Sequence, residues 1–226
     1  MLLKKVVTRL MGRGQTQPSH RGSSLHRRVL CIGGGNDLAS MPYHYAAWNK
    51  TLLSEQFREV AHLIESALRL SEREEATFDA VYCSHQLKNH SLQEGGQILK
   101  GIRRLLKPGG FVHLKVPDVT VLMHQMVKSG HDLEDVAYIS PVGPISYHDV
   151  FWGLSTARSA PGTSSAGHKS GYSRKVLDRV LSDNGFLDLR HIGEQGGSEL
   201  EVIAAFDRLH DDYRILLGLK SQTSQP

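Results

Sequence analysis

Two histidines, His85 and His90, follow an apolar run in the middle of the chain and are the residues best suited to moving a proton. Histidine titrates near neutral pH, so either imidazole could accept a proton from a reacting hydroxyl or amine. A histidine at the end of a strand is also often a hydrogen-bonded structural group, and the sequence leaves both roles open. Their spacing of five positions, with no third ligand nearby, is not that of a metal site, and we expect none.

A second informative group is the glycine turn Gly33, Gly34 and Gly35, which closes an apolar run at 28–32. Glycine allows backbone amides to approach a ligand closely, and open parallel sheets bind ligands at the carboxyl ends of their strands. An acidic residue about twenty positions further on can accept the two hydroxyls of a ribose. Glu55 stands there and is either such a residue or a solvated glutamate.

The glycine turn also helps to separate classes of cofactor. In the dinucleotide pattern G-x-G-x-x-G, the third glycine position falls on Leu38, whose side chain is large for close packing of helix on strand. This disfavours a nicotinamide or flavin enzyme, which we keep as a third hypothesis. The sequence contains neither the nucleophile-elbow pattern of hydrolases nor a P-loop, so those classes have no support.

A third group of candidates lies at the end of a long stretch, 141–172, that is rich in proline, glycine and serine. Irregular stretches of this length are often lids or binding loops. His168, Lys169 and Tyr172 are therefore candidates for contact with a substrate. Alternatively, this segment anchors the helix that Ser173 is expected to cap.

The elements that position these residues alternate between strands and helices. Ser91 and Glu94 form a capping box that predicts a helix ending before Pro108, and a further helix is expected over 119–139. The stretch 57–77 fits a strand or a helix. Strands alternating with helices predict an α/β fold with a mostly parallel sheet, and a late glycine turn predicts an antiparallel last strand. The strands are predicted at 28–32, near 52–53, and at 78–84, 111–116, 186–192 and 200–206.

Three segments occur in one order and resemble the class I S-adenosylmethionine (SAM)-dependent methyltransferases of the methyltransferase type 11 kind. They are Val29–Gly35, Phe78–His85 and Leu105–Phe111, the last containing the signature Leu-Lys-Pro-Gly-Gly. The segments Val116–Asp118 and His168–Tyr172 resemble a bacterial subgroup of predicted methyltransferases, often associated with surface-polysaccharide genes. The resemblance covers about residues 28–206.

This resemblance implies a Rossmann-like, seven-stranded, mostly parallel sheet with an antiparallel last strand, helices on both faces, and SAM as the cofactor. The glycine turn would face the methionine part of SAM, and Glu55 and Glu65 would lie near the ribose and the adenine. Ser84 and His85 would lie beside the methyl donor. The resemblance thus implies methyl transfer to a small molecule, or to a sugar or surface-polysaccharide precursor.

Two departures from the family pattern support a different hypothesis. Ser54-Glu55 stands where the family usually has an aspartate, and Lys88 replaces the glutamate of a His-x-Leu-Glu-His motif. His90, the second histidine of that motif, is one position late. The second hypothesis is therefore a weakly active or inactive methyltransferase-like module that binds a nucleoside or a partner protein.

The positive charge of the chain is concentrated at its start. The net charge is +4, and seven basic residues precede the first acidic residue, Asp37. We therefore expect a basic flexible segment at 1–27, a methyltransferase-like domain at 28–207, and a helix with a polar tail at 208–226. The body has no basic excess, so nucleic acid is not an expected partner. The basic segment could contact an anionic membrane or RNA, could be a transit peptide, or could simply be solvated.

Cysteine content and hydropathy bear on the compartment. Cys31 and Cys83 each lie in an apolar run, and two cysteines do not make a disulfide framework, so we expect free thiols. No run of about 18 apolar residues is present, so no transmembrane helix is expected. Together these features favour a cytoplasmic protein.

Overall fold

A six-stranded sheet forms the centre of the computed structural model, which describes residues 27–32, 45, 49–53, 76–140, 143–153, 167–193 and 196–219. Its strands are β1 (Arg28–Ile32), β2 (Asn49–Leu53), β3 (Phe78–Ser84), β4 (Leu106–Pro117), β7 (Asp188–His191) and β8 (Glu199–Ala205). Their spatial order is β2-β1-β3-β4-β8-β7. A separate hairpin pairs β5 (Val136–Ser140) with β6 (Gly143–Ser146).

The direction of the strands confirms the predicted α/β fold. β1, β2, β3 and β4 pair in parallel, and β8 is antiparallel to both β4 and β7. The resemblance implies seven strands, and the central sheet has six strands in the described residues. The stretch 57–77, whose conformation the sequence left undecided, lies outside the described residues except for its last two positions.

Five helices accompany the sheet in the described residues: α1 (Leu92–Leu105), α2 (Val119–Lys128), α3 (Tyr147–Trp152), α4 (Arg174–Asp183) and α5 (Asp211–Leu216). The predicted capping box at the start of α1 is confirmed, because the Ser91 amide donates to Glu94 Oε2 over 2.8 Å and the Glu94 amide donates to Ser91 Oγ over 3.2 Å. None of the helices in these ranges has the length and hydrophobicity needed to cross a bilayer.

The two cysteines lie on opposite faces of the sheet. Cys31 packs with Val29 and Tyr82, whereas Cys83 packs with Leu30 and Ile32 in a different cluster. Both are buried free thiols, as predicted, and burial raises the pKa of the Cys83 thiol to about 12. Their placement on opposite faces excludes a bond between them, because the side chains point away from each other.

The Leu-Lys-Pro-Gly-Gly signature, Leu106–Gly110, forms the start of β4, directly after the end of α1. Gly109 has φ +75°, and a Cβ on Gly110 would lie only 2.9 Å from the carbonyl oxygens of Asp79 and Lys107. The Lys107 ammonium also donates to Asp79 Oδ2 over 2.8 Å. Glycine is therefore required here for backbone packing, and the signature has a structural reason.

Two sequence predictions between β4 and α4 were wrong in part. The helix predicted over 119–139 ends at Lys128, because Gly130 takes φ +67° and the following residues form β5. The stretch 141–172 was predicted to be irregular, but it contains β6 and α3. A second capping box, in which the Asp149 amide donates to Ser146 Oγ over 3.1 Å, starts α3 and was overlooked in the sequence.

Candidate active site

The candidate site lies at the carboxyl end of β3, next to the end of β1. β1 has β2 on one side and β3 on the other, so the chain connections leave it in opposite directions. Such a switch point opens a crevice beyond the strand ends, which is where open α/β sheets bind nucleotides. Ser84 ends β3 here, and Gly33 directly follows the end of β1. This geometry fits a nucleoside cofactor.

Several predicted cofactor residues cannot be placed. Gly33, Gly34, Gly35, Glu55 and Glu65 lie outside the described residues, so their contacts with SAM stay predictions. Ser84, in contrast, is described, and it is buried at the end of β3. It stays a predicted cofactor residue on the strength of that position.

His85 occupies the first position after β3 with an unusual backbone. Its φ is +55°, in the left-handed region that residues other than glycine seldom adopt. The conformation is held by its own amide, which donates to the Lys115 carbonyl oxygen over 2.8 Å. Unusual backbone of this kind occurs frequently at functional sites. The side chain is 36% exposed, so the imidazole is partly accessible.

A carboxylate from a distant part of the sequence holds the His85 imidazole. His85 Nε2 lies 3.0 Å from Glu199 Oε1, and Lys115 Nζ lies 2.6 Å from Glu199 Oε2. Hydrogen bonding to His85 and Lys115 lowers the pKa of Glu199 to about 2, against the opposing effect of burial. Glu199 is therefore ionised throughout the physiological range and presents one oxygen to each partner.

The segment His168–Tyr172 is tied to the turn that follows His85. This 3₁₀ turn spans Leu87–Asn89, and the Lys88 carbonyl oxygen accepts hydrogen bonds from the amides of Lys169, over 2.8 Å, and Ser170, over 3.2 Å. The predicted substrate-binding segment therefore lies directly beside the predicted catalytic turn. This arrangement brings the side chains of His168 and Lys88 within electrostatic range of each other.

The His168 imidazole is neutral near pH 7. Its Nδ1 lies 2.9 Å from the Val150 carbonyl oxygen, to which it must donate, so Nε2 carries the lone pair. Burial and the nearby Lys88 ammonium lower the pKa of His168 to about 4. Burial likewise lowers the pKa of Lys88, although Glu199 acts in the opposite direction.

Three other predicted site residues lie further from this cluster. His90 is 3% exposed, and its burial lowers its pKa. The Lys169 ammonium points to the surface, 3.6 Å from Glu94 Oε2. Tyr172 is 1% exposed in the main core, where a Cβ on Gly95 would lie 3.0 Å from its hydroxyl. These positions favour anchoring of the loop for Tyr172, and the proposed roles of His90 and Lys169 stay predictions.

Glu199 and Lys115 were not singled out in the sequence, although a signal was present. Both belong to strands, and Glu199 and Glu201 alternate on one face opposite Lys115. Further polar contacts extend this row of side chains toward the buried part of the sheet. Glu201 Oε1 lies 2.7 Å from His113 Nε2, and the Tyr45 hydroxyl lies 2.9 Å from His113 Nδ1. Hydrogen bonding to His113 lowers the pKa of Glu201. Charged residues at alternate positions of strands predicted as buried would have indicated this polar row.

Comparison with known proteins gives one family match, over part of the chain. Residues 32–114, from the end of β1 into β4, match the family model described as a methyltransferase domain. No curated protein is significantly similar to the chain.

Several solved structures are similar to the chain at low sequence identity. The chain is 15% identical to the CurJ carbon methyltransferase, with a TM-score of 0.45, and covers 52% of it with 90% of its own residues. A second structure is magnesium protoporphyrin IX methyltransferase (ChlM) from Synechocystis PCC 6803 with bound S-adenosylhomocysteine (SAH). The chain is 15% identical to it, with a TM-score of 0.44, and the match covers 90% of this chain and 81% of that one. The methyltransferase SibL is 17% identical, with a TM-score of 0.47 and coverage of 82% and 51%. The chain thus spans about half the length of two of these proteins.

The family match runs from the last residue of β1 through β2 and β3 into β4, and it includes the Leu-Lys-Pro-Gly-Gly signature. The antiparallel β8 agrees with the antiparallel last strand that the sequence predicted. Over the matched range the chain is similar to a methyltransferase domain.

Proposed function

We propose that this enzyme transfers the methyl group of SAM to a hydroxyl or similar group of a small molecule or saccharide, with His85 as the general base. The observation that carries the proposal is the 3.0 Å contact between His85 Nε2 and Glu199 Oε1 at the carboxyl end of β3. It gives an accessible imidazole one defined partner at the edge where the fold binds its cofactor.

Methyl transfer from a sulfonium is an in-line displacement, so the protein acts mainly by holding the acceptor atom in line with the methyl group. Bound SAM supplies an electrophilic methyl group. We expect the glycine turn Gly33–Gly35 and Glu55 to hold its methionine and ribose parts, and Ser84 to line the crevice at the end of β3.

The contact with Glu199 determines which nitrogen of His85 can act as a base. With Nε2–H donated to the carboxylate, Nδ1 carries the lone pair and can accept the proton of the methyl acceptor. The negative charge of Glu199 stabilises the imidazolium that forms, as the third group of a catalytic triad does. Lys115, at 2.6 Å, keeps Glu199 ionised and in place.

The class of acceptor comes from the resemblance of His168–Tyr172 to the polysaccharide-associated subgroup. We include sugar and surface-polysaccharide precursors in the proposal on that basis. We also place the reaction in the cytoplasm, a reducing compartment that suits two buried free thiols.

The proposal is tested by incubating the full chain with methyl-labelled SAM and fractionated small molecules and saccharides, then following transfer of the label. We expect transfer into at least one fraction, and a loss of about 10²- to 10⁴-fold in rate for His85→Ala. His124→Ala, at an exposed position of α2, is the matched control and should keep the wild-type rate. Binding of SAH without transfer into any fraction would favour the alternative of an inactive binding module, to which the departures at Glu55 and Lys88 point.

A further inference from the structure

We propose that Lys88 binds an oxyanion, a phosphate or carboxylate group, on the methyl acceptor. The inference deepens the proposed function and rests on it, because it assigns a chemical class to the acceptor of the same site. It would make the substrate an acid, such as a sugar phosphate or a carboxylated small molecule, in place of a neutral saccharide.

The first step is the position of Lys88. It lies in the turn that immediately follows His85, and its side chain is partly buried. Its backbone is fixed by the two hydrogen bonds that its carbonyl oxygen accepts from Lys169 and Ser170. A lysine on a free surface loop can extend its ammonium group into water, whereas the Lys88 side chain stays partly buried on this fixed backbone.

The second step is the lack of a partner. The Lys88 ammonium makes no hydrogen bond or ion pair with any residue that the structure describes, which distinguishes it from Lys107, Lys115 and Lys169. The nearest carboxylate in electrostatic terms is Glu199. Both oxygens of Glu199 already contact other groups, His85 and Lys115. Glu199 therefore stabilises the charge of Lys88 only at a distance, without a direct hydrogen bond.

The third step is the charge balance of the cluster. Glu199 and Lys115 neutralise each other, and His168 is uncharged near pH 7 because its pKa is about 4. Among the described residues of this cluster, Lys88 is thus a cation without a direct counter-ion. An ammonium that is partly removed from water is costly without a partner, and burial accordingly lowers its pKa. An oxyanion at this position would supply the missing charge and hydrogen-bond acceptors.

The sign of the charge next to the reacting group decides which acceptors can bind. A positive charge at Lys88 favours an acidic acceptor, which a carboxylate in its place would repel. The methionine part of SAM also carries a carboxylate, which is an oxyanion like the one proposed on the acceptor. The experiment must therefore distinguish binding of the acceptor from binding of the cofactor.

The test is a titration of the full chain with inorganic phosphate, both free and saturated with SAH, followed through the NMR signals of the His85 and His168 rings. We expect a saturable shift in the wild type and an affinity at least about tenfold lower in Lys88→Met, because a hydrogen bond to a charged group is lost. Lys88→Arg should retain binding. Lys175→Met, at an exposed position of α4, is the control and should match the wild type.

Two results would overturn the proposal. One is phosphate binding that is absent, or equal in the wild type and Lys88→Met. The other is a loss of SAH affinity in Lys88→Met as large as the loss of phosphate affinity, because the anion would then be the carboxylate of the cofactor. Failure of SAH to bind the wild type would contradict the proposed function separately, and the titration of the free chain would still decide whether Lys88 holds an oxyanion.

Discussion

The His85 imidazole and the Glu199 carboxylate meet at 3.0 Å although β4 lies between the strands that carry them. Lys115, which projects from β4, lies 2.6 Å from the same carboxylate and bridges the gap. The antiparallel entry of β8 places Glu199 at the carboxyl ends of the parallel strands, because a strand that runs in reverse begins where its neighbours end. The antiparallel strand thus brings a carboxylate to the edge of the sheet where the parallel strands end.

Replacing Glu199 by glutamine should slow methyl transfer more than it weakens cofactor binding. The neutral amide cannot stabilise the imidazolium of His85, so we expect kcat to fall by about 10- to 100-fold while the affinity for SAH stays within about twofold of wild type. Steady-state kinetics and calorimetry measure the two effects. Glu134→Gln, at an exposed position, is the control. Equal losses in kcat and in SAH affinity would show that Glu199 supports the fold of the crevice and does not act through His85.

Stability in acid should depend on Glu199. Its pKa falls from an ordinary 4.5 to about 2, so in this range the unfolded chain binds more protons than the folded chain. The stabilisation is complete above about pH 4.5 and is lost as the pH falls toward 2. In denaturant titrations at several pH values, the difference in unfolding free energy between wild type and Glu199→Gln should be largest above pH 5 and should shrink below pH 4. A difference independent of pH would contradict the assignment.

His168 should not titrate in the neutral range. Burial and Lys88 lower its pKa from 6.5 to about 4, so its ring should remain neutral between about pH 5.5 and 8. Because the unfolded chain takes up this proton first, the neutral His168 lowers stability as the pH falls from 6.5 to 4. The pH dependence of its Cε1–H signal measures the pKa directly. A midpoint near 6.5 would show that the ring is solvated and that its bond to Val150 is absent.

The signature glycine Gly110 should tolerate no side chain. A Cβ would approach the carbonyl oxygens of Asp79 and Lys107 to 2.9 Å, and backbone atoms cannot move away easily. We expect Gly110→Ala to lower the unfolding free energy by about 1–3 kcal/mol. Gly96→Ala is the matched control, because the atoms nearest to its Cβ belong to the Asn184 side chain, at 3.2 Å, and not to backbone, and alanine favours the helix. A drop of equal size in both variants in thermal or chemical unfolding would refute the argument.

The elements of the sheet were predictable from short apolar runs with clear boundaries. Arg28–Ile32 and Phe78–Ser84 have the predicted bounds, because each ends in residues that stop a strand. The hairpin β5–β6 was missed because it follows a helix without a change in composition, and Gly130 was the one available marker of the helix end. Local patterns predict elements where turn residues separate them and fail where they do not.

Only those residues of the candidate site that belong to recognisable local motifs could be predicted from the sequence. His85 was evident because it follows a recognisable strand, and His168 because it closes a distinctive segment. Glu199 lies more than a hundred positions from His85 in the chain, and its role depends on strand order and on antiparallel register. Such a pairing follows from tertiary structure, which no local pattern encodes. Lys88 was visible as a departure from the family pattern, but its lack of a partner required the structure.

The most direct test of the central claim is calorimetric titration of the full chain with SAH. A class I methyltransferase should bind it saturably, at one site per chain. Gly33→Val should abolish binding by filling the space beside the turn, and Glu55→Ala should weaken it by about 5- to 150-fold, as expected for loss of a buried hydrogen-bond acceptor. His85→Ala should bind SAH as the wild type does. The absence of any heat of binding with SAH or SAM at about millimolar concentration would contradict the assignment of this chain as a SAM-dependent enzyme.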